Sequence, residues 1–131
     1  MITPLVFGDL FTYESREYIY LAKTEEIVYA AQILPVTDTN RVNKFYESKV
    51  IKGKEDKIAK HPLFCFVMLK TSKFKDRCAH FARTGLDDFS FFIEKLSVVL
   101  DKDDLMQVLN TIKSDSPVPM QLKELVKDIR L

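Results

Sequence analysis

Glycine is scarce in this chain: Gly8, Gly53 and Gly85 are the only three in 131 residues, which leaves no glycine-rich loop to cradle a phosphate. Five prolines, none clustered into a linker, leave no collagen-like or low-complexity stretch, and the sequence has no internal repeat. The longest unbroken apolar run, Leu63 to Leu69, falls far short of the ~20 residues that a transmembrane helix requires. The first residues, Met1 to Asp9, lack the basic start and the small-residue cleavage site of a secretory leader, so the expected address is the cytoplasm. There are only two cysteines, Cys65 and Cys78, both in apolar surroundings, which suits buried thiols in a reducing compartment better than a disulfide.

Hydrophobic residues make up 47% of the chain, enough to fill one core, and the length fits one domain. The net charge of +1 hides an asymmetry. Residues 41 to 83 carry twelve basic side chains against four acidic ones, so the flanks are acidic. A basic middle of this length attracts a polyanion such as RNA, although Lys49 to Lys57 equally suits a solvated loop.

Three runs rich in β-branched and aromatic residues predict strands: Leu10–Tyr13, Glu17–Ala22 and Ile27–Leu34, with Pro35 closing the third. Their short polar connections, 14–16 and 23–26, suit an antiparallel meander. Pro62–Lys70 predicts a fourth strand, apolar enough to be buried on both faces, and Arg77–Thr84 a fifth. Residues 38 to 61 form the basic loop between the third and fourth. Residues 86–96 fit either a short helix or a strand.

From Asp101 the period changes. Leu105, Val108, Leu109 and Ile112 follow helical spacing, with Asp101 placed to cap and Asp103 and Asp104 in the first turn. After Pro117 and Pro119, a second helix with Leu122, Leu125, Val126 and Ile129 on one face is expected to reach the C-terminus. The fold class is thus mainly β with C-terminal helices, a small antiparallel sheet or barrel followed by two amphipathic helices. Residues 1–113 form the domain with its closing helix, and 114–131 extend it.

Four fragments, in order, resemble the MazF/PemK (Kid) toxin family of the CcdB/MazF-like superfamily: Gly8-Asp9-Leu10-Phe11; Arg16-Glu17-Tyr18-Ile19-Tyr20-Leu21-Ala22; Leu34-Pro35-Val36-Thr37; and Arg83-Thr84-Gly85-Leu86-Asp87-Asp88 with the helix that follows. The resemblance implies an SH3-like barrel and a metal-independent endoribonuclease that cuts single-stranded RNA by attack of the ribose 2′-hydroxyl. It further implies a homodimer, a cognate antitoxin that fills the RNA groove, and no cofactor. The family's arginine and threonine correspond to Arg16 and Thr37.

Arginine stays protonated, so Arg16 suits stabilising phosphate charge rather than acting as a base. Thr37 suits a hydrogen bond to the 2′-hydroxyl or phosphate, and proton removal falls to Glu14 or to water. Arg77, Arg83, Lys52 and Lys54 are the candidate RNA-binding cations, and Tyr13, Tyr18, Tyr20, Phe45 and Tyr46 are candidates for stacking on unpaired bases. Each has a plainer reading. Arg16 suits a surface turn, Thr37 a backbone-capping turn and the tyrosines half-buried packing.

Two departures from the family pattern, Glu17 in place of its proline and a tight Tyr13-Glu14-Ser15 turn in place of its glycine-rich loop, ground a second expectation: a non-catalytic barrel that binds nucleic acid or a protein. A third is the gyrase-poison branch of the same superfamily, which acts through its C-terminal end. His61, Cys65, Cys78 and His80 present two pairs of potential zinc ligands, but at spacings foreign to a zinc knuckle, so the expectation is no metal. Nor is there a Ser-His-Asp or nucleophile-elbow pattern.

Overall fold

The computed structural model describes residues 5–25, 27–36, 66–74, 76–85, 93–114 and 118–131. Thr37, Lys52, Lys54, His61, Cys65, Phe45 and Tyr46 lie outside them, as do the basic loop 38–61 and residues 86–92.

The three expected strands form a meander: β1 (Asp9–Tyr13), β2 (Arg16–Lys23) and β3 (Ile27–Pro35). β1 and β2 pair antiparallel in the register Leu10↔Ile19 to Tyr13↔Arg16, joined by the two-residue turn Glu14-Ser15. Both turn residues are left-handed, with φ of 50° and 66°, the backbone a tight hairpin demands so that its twist matches the strands. That backbone is cheap for glycine or asparagine and strained for glutamate and serine.

β4 (Phe66–Leu69) precedes a single 3-10 turn at Ser72–Phe74, followed by β5 (Arg77–Gly85) and β6 (Ile93–Val99). All pairings are antiparallel and the order is β4-β5-β3-β2-β1-β6, so β3 sits inside the sheet between β5 and β2. Among the described residues the hydrogen-bonded ladder runs from β4 to β6 without closing. Of the ambiguous segment 86–96, residues 93–96 belong to β6, which pairs with β1, and the rest lies outside the described residues.

Two helices close the chain: α1 (Lys102–Ser114) and α2 (Met120–Val126). Asp101 caps α1 as its residue type predicts, its Oδ1 accepting from the Asp104 amide at 2.9 Å. The second helix is shorter than expected. Its chain turns out after Val126, whose carbonyl accepts from the Ile129 amide at 3.1 Å, and Leu125 is left largely exposed while Ile129 still packs on the core.

Strand periodicity sorts side chains into two unequal clusters. On one face Leu10, Ile19, Tyr29, Ala31 and Phe81 pack against Val108, Leu109, Ile112, Leu122 and Val126 of the helices, giving the main core. On the other face Phe11, Tyr20, Val28 and Ala30 form a smaller cluster.

The expectation that the fourth strand is buried on both faces is corrected. Val67 and Leu69 are buried against the core, but Met68, on the other face of β4, is 45% exposed: among the described residues only the first face is packed against the core.

Two polar ties, through Asp104 and through Tyr29, fasten the helices to the sheet. The Asp104 carboxylate is wholly buried and accepts from the backbone amides of Lys70 and Thr71 at 2.7 and 2.8 Å, pinning the turn after β4 to the first turn of α1. The Tyr29 hydroxyl donates to Oε1 of Gln121 at 2.6 Å, joining β3 to α2. Near the start, Gly8 adopts φ 92°, donates its amide to the Tyr20 carbonyl at 2.9 Å and leaves no room for a side chain, since a Cβ there would run into Leu105 of α1.

Candidate functional site

The face of the sheet away from the helices carries a groove of about 230 Å³. Its floor is apolar, built from Phe11 of β1, Val28 and Ala30 of β3 and Ala82 of β5. Tyr13, Glu14, Arg16 and Tyr18 rise from the first hairpin to form one wall. Gln32 and Arg83 complete the lining.

Hairpin register explains why this wall is chemically rich. Phe11↔Tyr18 and Tyr13↔Arg16 are directly opposed pairs two residues apart, so all four side chains share one face. The Phe11 and Tyr18 rings stack with centroids 5.4 Å apart and planes 16° from parallel. Arg16 and Tyr18, two apart on β2, share one face, close enough for the guanidinium to act on the phenol. Burial pushes the Tyr18 hydroxyl above its ordinary pKa of 10.0; the nearby Arg16 guanidinium pulls the other way, and the Glu14 carboxylate adds to the rise. Glu14, Arg16 and Tyr18 are therefore within electrostatic reach of one another at the groove lip. Among the described residues the ion pairs are Lys95–Asp9 at 3.4 Å and Lys127–Glu124 at 2.9 Å, so Arg16 is not consumed by a salt bridge with Glu14.

The groove thus brings together two of the three expected catalytic residues, Arg16 and Glu14, with two of the expected stacking tyrosines, Tyr13 and Tyr18. Tyr20 shares the same face but packs into the smaller cluster, 7% exposed, with burial raising its pKa. Thr37 and the two lysines, Lys52 and Lys54, lie outside the described residues.

Arg83 lines the groove, yet its cross-strand partner is Tyr29, on the helix-covered face. Its charge is felt at the Tyr29 hydroxyl, where it partly offsets the upward push of burial. Arg77 is exposed at the opposite end of β5, six residues and about 20 Å along the strand, and is not part of the groove.

Gln32 is the residue that reading the sequence for chemistry passes over. It stands in the apolar run Ile27–Leu34, and only the β2–β3 register, which sets Tyr18 opposite Gln32, reveals that it faces the groove. The available signal was a lone amide on the alternation of Val28, Ala30 and Gln32.

His80 and Cys78 project from the same face of β5, beyond the groove, with the Cys78 thiol 3.7 Å from the Leu34 carbonyl oxygen it donates to. His80 stacks on Phe66, with centroids 5.4 Å apart, and burial lowers its pKa to about 4. Among the described residues no three His, Cys, Asp or Glu side chains cluster as metal ligands, and no helix is long and apolar enough to cross a membrane.

A positively charged fork, a carboxylate and aromatic rings thus surround an apolar floor. Comparison with protein-family models, curated proteins and solved structures found no match to this chain.

Proposed function

We propose that this groove binds single-stranded RNA and cleaves it without a metal, in the manner of the MazF/PemK toxins that the chain resembles. The observation that carries the reading is the convergence of Arg16, Glu14, Tyr13 and Tyr18 on one groove of the sheet. Tyrosine rings take up unpaired bases, and a guanidinium fork matches the non-bridging oxygens of a phosphate.

The chemistry follows from the two charged groups. Glu14 accepts the proton of the ribose 2′-hydroxyl; the O2′–P bond forms as the P–O5′ bond breaks, leaving a 2′,3′-cyclic phosphate. The proton returns through water to the departing O5′. Arg16 donates hydrogen bonds to the phosphate oxygens, where negative charge accumulates in the transition state. Thr37 joins as a hydrogen-bond partner to the 2′-hydroxyl or phosphate. The basic stretch 41–83 draws the polyanion in, a homodimer supplies a longer track than one shallow face, and an antitoxin segment would occupy the same groove.

The test is fragment mapping of a long single-stranded RNA in EDTA with wild type, Arg16→Ala, Thr37→Ala and Glu14→Gln. Reproducible cuts that all three variants lose support the nuclease. Salt-dependent binding without a cut leaves a non-catalytic RNA-binding module. Neither cutting nor binding overturns the reading and leaves a protein partner.

A further inference from the structure

The groove is small. Its volume of about 230 Å³ lies under the ~300–1,000 Å³ of a site that swallows a drug-sized molecule, so it admits one ring system while the attached sugar and phosphate stay outside. The Gln32 amide faces this space half-buried, and no side chain or backbone group among the described residues hydrogen-bonds to it. Its neighbour across the β2–β3 ladder is Tyr18, whose ring already stacks with Phe11. The carboxamide is therefore open to the groove, with a donor and an acceptor available to a ligand seated there.

We infer that the groove holds a single unpaired adenine, seated against Tyr18, with the Gln32 carboxamide reading its edge. On the Hoogsteen edge the amide oxygen accepts from the adenine N6 amine while the amide nitrogen donates to N7, the two-point match that glutamine makes with adenine. Guanine presents two acceptors along that edge and leaves the carboxamide oxygen facing another oxygen. Arg16, at the lip, meets the phosphate next to the seated base, so the base contact sets which linkage lies against Arg16 and Glu14. This deepens the RNA reading above and rests on it: Gln32 becomes the residue that selects where the chain is held.

The experiment is binding of labelled oligouridylates carrying one central adenine, guanine or cytosine to the full chain, with adenosine monophosphate as competitor. Wild type is expected to favour the adenine oligomer over the guanine one by about 10-fold. Gln32→Met, which keeps the side-chain shape, brings the ratio near unity by weakening the adenine oligomer alone. Gln32→Glu, which only accepts hydrogen bonds, moves the preference toward cytosine and its amine. Circular dichroism verifies that both variants fold.

RNA binding with equal affinity for adenine and guanine, or a preference that survives in Gln32→Met, overturns the base-reading role and leaves the RNA reading intact. Absence of binding by every oligomer overturns both. Adenosine monophosphate binding as tightly as the adenine oligomer shows that the site serves a free nucleotide and overturns RNA as its source.

Discussion

The Tyr29 hydroxyl reaches Oε1 of Gln121 at 2.6 Å across ninety-two positions of sequence, and so carries the last helix on the middle of the sheet. Tyr29 is 1% exposed, so its ring is a core residue whose polar tip is satisfied only through α2. Tyr29→Phe is expected to cost about 1 kcal/mol in urea unfolding. Gln121→Ala costs a similar amount, and the double variant little more than either, because both remove one bond.

Asp104 is a stronger test of the same kind. Asp104→Ala strips the acceptor from two backbone amides at once, those of Lys70 and Thr71, and is expected to destabilise by about 2–4 kcal/mol. Asp104→Asn keeps one carbonyl oxygen and falls between wild type and alanine in the same denaturation series.

The left-handed Glu14-Ser15 turn stores strain beside the groove. Ser15→Gly is expected to raise stability by about 1 kcal/mol, seen as a higher melting temperature, since glycine adopts this backbone freely. Ser15→Val moves the other way.

His80 makes stability depend on pH. Burial lowers its pKa from 6.5 to about 4, so between those values the unfolded chain binds a proton that the folded chain refuses. Its contribution is intact above about pH 6.5 and drains away as the pH falls toward 4, by roughly 3 kcal/mol over the whole window. Urea midpoints at pH 7, 5.5 and 4.5 measure this slope, and His80→Phe is expected to flatten it.

For the chemistry, Arg16→Lys separates charge from shape. Lysine keeps the positive charge but loses the planar fork, so RNA binding is expected to weaken only about 2- to 3-fold while cleavage falls by about 100-fold or more. Single-turnover cleavage alongside filter binding distinguishes the two.

The parts of the fold legible in the sequence are those whose neighbours are local. The meander showed itself through Pro35 and short polar turns, and α1 through Asp101 and the Leu105–Ile112 spacing, all within a residue or two of the observed bounds. What depends on distant partners was not legible. The apolar run at Val67–Leu69 looks central on its own, yet strand order places it at an end of the sheet, and Ile93–Val99 becomes a strand only because β1 offers a free edge. The site divides likewise. Arg16 and Glu14 stand out by chemical type at a turn, but Gln32 acquires meaning only from the register that sets it opposite Tyr18, and Arg83 loses some of its apparent role because the same alternation turns it toward Tyr29.

The sheet order also sets a timetable for the newborn chain. β3 is paired on one side by β2, made just before it, and on the other by β5, which ends at Gly85, some fifty residues after Pro35. At ~5–20 residues per second the ribosome needs roughly 3–10 s to supply that second partner. Through that interval the meander carries the bare edge of its most apolar strand, Ile27 to Pro35, a template for any other extended chain nearby. Until β5 emerges, that edge is the part of the young chain most in need of cover.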